Sequence, residues 1–116
     1  MAIVLKELFD NIEKLMEEKE PYCQPDFSLA NLAKMVGSNT SYVSKCINVG
    51  AGKSFPNWVA DYRIRKALQI VQANPKASTS EVGQMIGEKN TVVMRRQFRR
   101  VMGQSFSLYK AGLRES

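Results

Sequence analysis

The 116-residue chain has no histidine and only two cysteines, Cys23 and Cys46. Without imidazole there is no histidine-based acid–base pair, and two thiols fall short of the usual Cys/His zinc site. No catalysis, metal or cofactor is expected. No secretory segment is recognisable at the N-terminus, so the thiols are expected to be reduced, in a cytoplasmic setting. Also missing is any apolar run near the roughly 20 residues that span a bilayer. Low-complexity tracts are absent, and 44% hydrophobic with 24% charged residues suits one compact unit, or two very small ones sharing a core.

Acidic residues are scarce over the last two thirds. Up to residue 40, four basic residues face seven acidic ones, a net −3; from residue 41 onward thirteen face Asp61, Glu81, Glu88 and Glu115, a net +9. A positive field so concentrated points to a polyanion, most often nucleic acid.

Leu5, Leu8, Phe9, Ile12, Leu15 and Met16 recur at helical spacing, which predicts an amphipathic first helix ending at Pro21. PYCQPDF (21–27), with two prolines, reads as an extended connector in which Tyr22 and Phe27 are buried. From residue 28 the chain repeats itself. LANLAKMVG (29–37) matches TSEVGQMIG (79–87), each after a capping serine, Ser28 or Ser78, and Ser78 with Glu81 has the spacing of a capping box. Beyond Gly37 and Gly87 the second copy is one residue longer in its turn. Val43 then falls on Met94, Lys45 on Arg96, Ile47 on Phe98, Gly52 on Gly103, Phe55 on Phe106 and Trp58 on Tyr109. A duplication with a period of about 50 residues outweighs any single motif within it.

Each copy has the punctuation of a helix-turn-helix: a short helix, a turn after glycine, and a second helix. The small residues Ala33 and Gly83, midway along the two first helices, let the second helix cross closely. Between the copies, FPNWVADYRIRKALQIVQANP predicts a helix of about 19 residues, a rigid spacer about 28 Å long. The expected division is 1–54 for the first helix plus first helix-turn-helix, 55–74 for the linker helix and 75–116 for the second helix-turn-helix.

GAGKS (50–54) resembles the tail of a phosphate-binding P-loop, but Ile47 occupies the place of its first glycine and the surrounding pattern is helical. Glycines ending one helix before Ser54 caps the next account for it. Cys46 reads as a packing residue. Trp58, Tyr62 and Tyr109, at helical spacing with apolar residues, read as core anchors and not as base-stacking platforms.

On a helical wheel of TVVMRRQFRRVMG (91–103), Met94, Phe98 and Val101 cluster within about 60°, and Arg95, Arg96, Arg99 and Arg100 occupy the opposite arc. That arc has no acidic residue at i+4, so its like charges destabilise the isolated helix by a few tenths of a kcal/mol per pair. In the first copy Val43 and Ile47 face inward, and Ser41, Ser44, Lys45 and Asn48 face outward. Lysine and arginine suit guanine, asparagine suits adenine, and serine suits either.

Taken together, LANLAKMVGSNTSYVSKCIN (29–48), the linker WVADYRIRKA (58–67) and RRQFRRVMGQSFSLYK (95–110) resemble the DNA-binding domain of the AraC/XylS family of bacterial transcription regulators, over about residues 28 to 113. The leading helix and EKEPYCQPDF look like the version that closes larger Bacteroidetes-type regulators, hybrid two-component sensors among them. The resemblance implies an all-α fold of seven helices, with two helix-turn-helix units joined by the long helix and reading neighbouring major-groove segments of double-stranded DNA. It implies Ser41, Ser44, Lys45 and Asn48 as readers in the first unit and Thr91, Val92, Arg95, Arg96 and Arg99 in the second. Phosphate contacts would fall near Ser28 and Ser78 and to flanking arginines, Arg100 foremost. RNA polymerase is a further candidate partner, and any effector or dimerisation domain would lie outside these residues. The chain departs from the family pattern at Glu88 (usually aromatic), Gly83 (usually alanine), Phe106 (usually proline) and Arg99 (usually lysine). The alternative is a helical interaction module whose basic face docks an acidic protein.

Overall fold

A computed structural model describes residues 3–115, with side chains from Val4 onward. Among these residues there are seven α-helices and no strand: α1 (Ile3–Lys19), α2 (Leu29–Met35), α3 (Thr40–Ala51), α4 (Phe55–Ala73), α5 (Thr79–Ile86), α6 (Thr91–Met102) and α7 (Phe106–Glu115). The all-α expectation holds. No helix among them is long and apolar enough to cross a membrane.

The chain divides into two compact units, residues 1–22 with 26–59, and residues 23–25 with 60–116. In the first, α1 and α2 both pack on α3. Leu5, Phe9, Ile12 and Met16 give α1 its buried stripe, and Val43, Cys46 and Ile47 give α3 its own. Gly50 lets α3 come close to α1, since a Cβ there would lie 2.7 Å from the Phe9 ring. Gly50→Ala is therefore expected to lower stability by about 1 to 3 kcal/mol through overpacking, which urea unfolding would measure; an unchanged midpoint would contradict it.

The second unit is built around Ile64, Ala67 and Val71 of α4, Val82 and Ile86 of α5, Met94 and Phe98 of α6 and Phe106 of α7. The linker helix is thus more than a spacer. Its first five residues carry buried Trp58 and Val59 in the first unit, and the rest is central to the second.

The duplication extends to the backbone. Gly37 and Gly87 sit at φ +69° and +87° after the two first helices, and Gly52 and Gly103 at +68° and +75° after the two second helices. These left-handed conformations suit glycine, so both copies stop their helices by the same device. Gly52 in this role also settles GAGKS as a helix end.

Two local expectations need correction. The 21–27 segment is not wholly extended, because Pro21–Cys23 winds into a 3₁₀ turn; Tyr22 is buried there, but Phe27 is only half-buried. The reciprocal capping box forms at Ser28 with Asn31, whereas at Ser78 the hydroxyl accepts from the Glu81 N–H without the return bond. The short asparagine amide reaches back where the Glu81 side chain stays exposed.

Candidate nucleic-acid interface

The second helices of the two motifs begin alike. Asn39 caps α3 by accepting the Tyr42 N–H at 2.8 Å, and Asn90 caps α6 by accepting the N–H groups of Val92 and Val93 at 3.0 and 3.2 Å. Neither cap is among the sequence expectations, although the Asn-Thr pair recurs at 39–40 and 90–91 and carries the signal. The one-residue insertion falls before the second cap and leaves both helices twelve residues long.

On α3, Val43 and Ile47 are fully buried, which leaves Ser41, Lys45 and Asn48 exposed and Ser44 half-buried. Cys46 is also fully buried, and its thiol donates to the Leu5 carbonyl at 3.2 Å. Burial first, and the Asp10 charge second, push its pKa up. A protonated, enclosed thiol is a poor nucleophile. Iodoacetamide should accordingly modify Cys23 in the folded chain and spare Cys46, with both reacting in urea; equal rates on peptide mass mapping would contradict this packing.

On α6, Met94 and Phe98 are fully buried, and Phe98 meets Phe106 edge-on at 5.0 Å and Tyr109 at 5.7 Å. Their burial fixes the opposite face outward. Val92, Arg95, Arg96, Arg99 and Arg100 are exposed, Val92 by 62%, and Thr91 is half-buried. The side chains of Arg95, Arg96 and Arg99 make no hydrogen bond or ion pair with described residues. With Ser105, Phe106 and Ser107 they line an open cleft of about 330 Å³ at the first turn of α7. Ser105 caps that turn, accepting the Leu108 N–H at 3.1 Å. Guanidinium groups beside the positive end of a helix make this cleft attractive to anions.

Arg100 is placed differently. Its Nη2 donates to Asp61 Oδ1 of α4 at 2.8 Å. The sequence shows no acid at i+4 because the acid comes from 39 residues away.

Arg63, also on α4, donates from Nη2 to the Gln24 carbonyl at 3.1 Å and places Nη1 3.8 Å from Glu88 Oε2. Burial lowers the Arg63 pKa, with Glu88 and then Cys23 opposing the shift; a guanidinium so basic stays charged. Glu88 Oε1 also accepts the Asn90 N–H at 3.1 Å. Glu88 therefore braces the turn leading into α6. Trp58 and Tyr62 are buried, and Tyr109 packs on the core while its hydroxyl accepts from Gln72 at 3.0 Å, so none of the three offers a stacking platform.

These features define an all-α fold with paired helix-turn-helix motifs. No family model and no curated protein matches the sequence. Solved structures do. The chain is similar to the C-terminal domain of AraT, a response regulator from Geobacillus stearothermophilus, at TM-score 0.74 and 20% identity, over 96% of this chain and 86% of that one. It is similar to a DNA-binding transcriptional dual regulator from Escherichia coli K-12 at TM-score 0.78 and 16% identity, over 94% of each chain. A third likeness is to the C-terminal domain of the two-component response regulator yesN from Fusobacterium nucleatum, at TM-score 0.73 and 18% identity, over 87% of this chain and 95% of that one. The chain has the fold of these regulator domains.

Proposed function

We propose that the chain is a sequence-specific, double-stranded DNA-binding module of a bacterial transcription regulator, acting in the cytoplasm without catalysis. The observation that carries this reading is the outward face of α6, where Arg95, Arg96 and Arg99 project beside an anion-attracting cleft on a helix pinned by buried Met94 and Phe98. α3 and α6 each enter the major groove, in neighbouring segments, as the second helices of motifs running through residue 54 and from residue 75. Ser41, Ser44, Lys45 and Asn48 read bases from α3. From α6, Arg95 and Arg96 suit guanine and the exposed Val92 suits a thymine methyl group, with Thr91 beside it. Arg99, nearest in sequence to the cleft wall at Ser105, shares a backbone phosphate with the first turn of α7. The E. coli regulator of the same fold is itself described as DNA-binding.

Selection from a random duplex pool, followed by a salt titration on the selected site, tests the reading. Affinity should fall with log salt at about 0.9 per phosphate neutralised. Failure to enrich any duplex would overturn it, and capture of an acidic protein partner without DNA would establish the alternative. Arg96→Ala should weaken the selected site by roughly 1 to 3 kcal/mol and relax preference at one base pair. Equal loss on random duplex would make Arg96 a phosphate contact.

A further inference from the structure

Among the four α6 arginines, Arg100 is held by two partners: Nη2 donates to Asp61 and Nε donates to Gln97 Oε1 at 2.7 Å. Two bonds from one planar group fix its direction as well as its position. Asp61 has only 11% of its side chain exposed against 41% for Arg100, so the acid is sheltered from water while the guanidinium remains partly screened by it. Phe98 and Met94 set which face of α6 points into the core; apolar burial, being non-directional, leaves the fine rotation about the axis to directional contacts. Arg100 lies one turn after Arg96 on the same helix face, where a directional tether to α4 would set that rotation. Moving Arg100 to a phosphate would break both of its bonds, to Asp61 and to Gln97.

We infer that Asp61 and Arg100 are positioning residues, whose ion pair sets the rotation of α6 and so aims Arg95, Arg96 and Arg99, and that Arg100 itself binds no phosphate. This rests on the DNA-binding reading. The two roles of Arg100 predict opposite behaviour. As a buttress, its loss disorients the readers; as a phosphate ligand, it would be restrained by Asp61, and removing that acid would improve binding.

The test measures wild type, Asp61→Asn, Arg100→Gln and the double variant on the selected duplex and on a random-sequence duplex, across a salt series. Each single change should lower the ratio of selected to random affinity by about tenfold. The double variant should be no worse than either single, as coupled residues behave. The salt slope of Arg100→Gln should equal that of wild type. A slope lower by about 0.9 with equal loss on both duplexes, a tighter Asp61→Asn, or single variants that match wild type would each overturn the inference. If Asp61→Asn loses its cooperative melt, the slope of Arg100→Gln decides alone. A wild-type chain that binds neither duplex overturns the DNA reading and this inference together, whereas wild-type binding with the wrong Arg100 slope overturns this inference only.

Discussion

Phe98→Ala is expected to destabilise the second unit by about 3 to 5 kcal/mol, the range for emptying a fully buried aromatic site. Phe98 is wholly inaccessible and stands between Phe106 and Tyr109, so the cavity is walled by two rings on α7 and by Met94 one turn earlier on α6. Rings cannot collapse into the space as a flexible chain would, which places the loss toward the upper end. For a domain of this size the expected fall in melting temperature is of order ten degrees or more. Thermal unfolding followed by circular dichroism would measure it. An unchanged melting temperature would mean that α6 presents a different face to the core, and the outward direction of Arg95, Arg96 and Arg99 would fall with it.

That coupling explains why the arginine face was legible in the sequence. The Met94–Phe98 spacing sets the inward side of α6, and everything opposite follows by geometry. The same holds for Val43 and Ile47 on α3. Helix ends were legible where a left-handed residue is required, at Gly37, Gly52, Gly87 and Gly103. What periodicity cannot carry is a partner far along the chain. Asp61 looks like one more exposed charge in WVADYRIRKA, yet it is buried and joined to Arg100. Arg63 gathers Gln24 and Glu88 from opposite directions in sequence. The connector departs from its extended reading because local rules weigh the two prolines alone, whereas Glu20 takes φ +49° and Pro21 opens a 3₁₀ turn.

Gly83→Ala is expected to destabilise by about 3 kcal/mol, the upper part of the range for overpacking, although helix propensity alone would favour alanine by about 1 kcal/mol. A Cβ on Gly83 would lie 2.5 Å from the Glu88 carbonyl oxygen. That oxygen cannot swing aside as a side chain could, because the Glu88 N–H donates to the Gly83 carbonyl at 2.9 Å and the Glu88 carboxylate is engaged by Arg63 and Asn90. The first copy makes the same return bond, Ser38 N–H to the Ala33 carbonyl at 2.9 Å, and carries a buried alanine methyl. Its turn has one residue fewer between glycine and cap. The extra residue of the second turn and the missing methyl of Gly83 thus form a matched pair. Shortening the second turn by deleting Lys89 should make Gly83→Ala tolerable, so that the double change is less destabilised than the sum of its parts by more than about 0.5 kcal/mol. Strict additivity in urea unfolding would show that the turn and the glycine are independent.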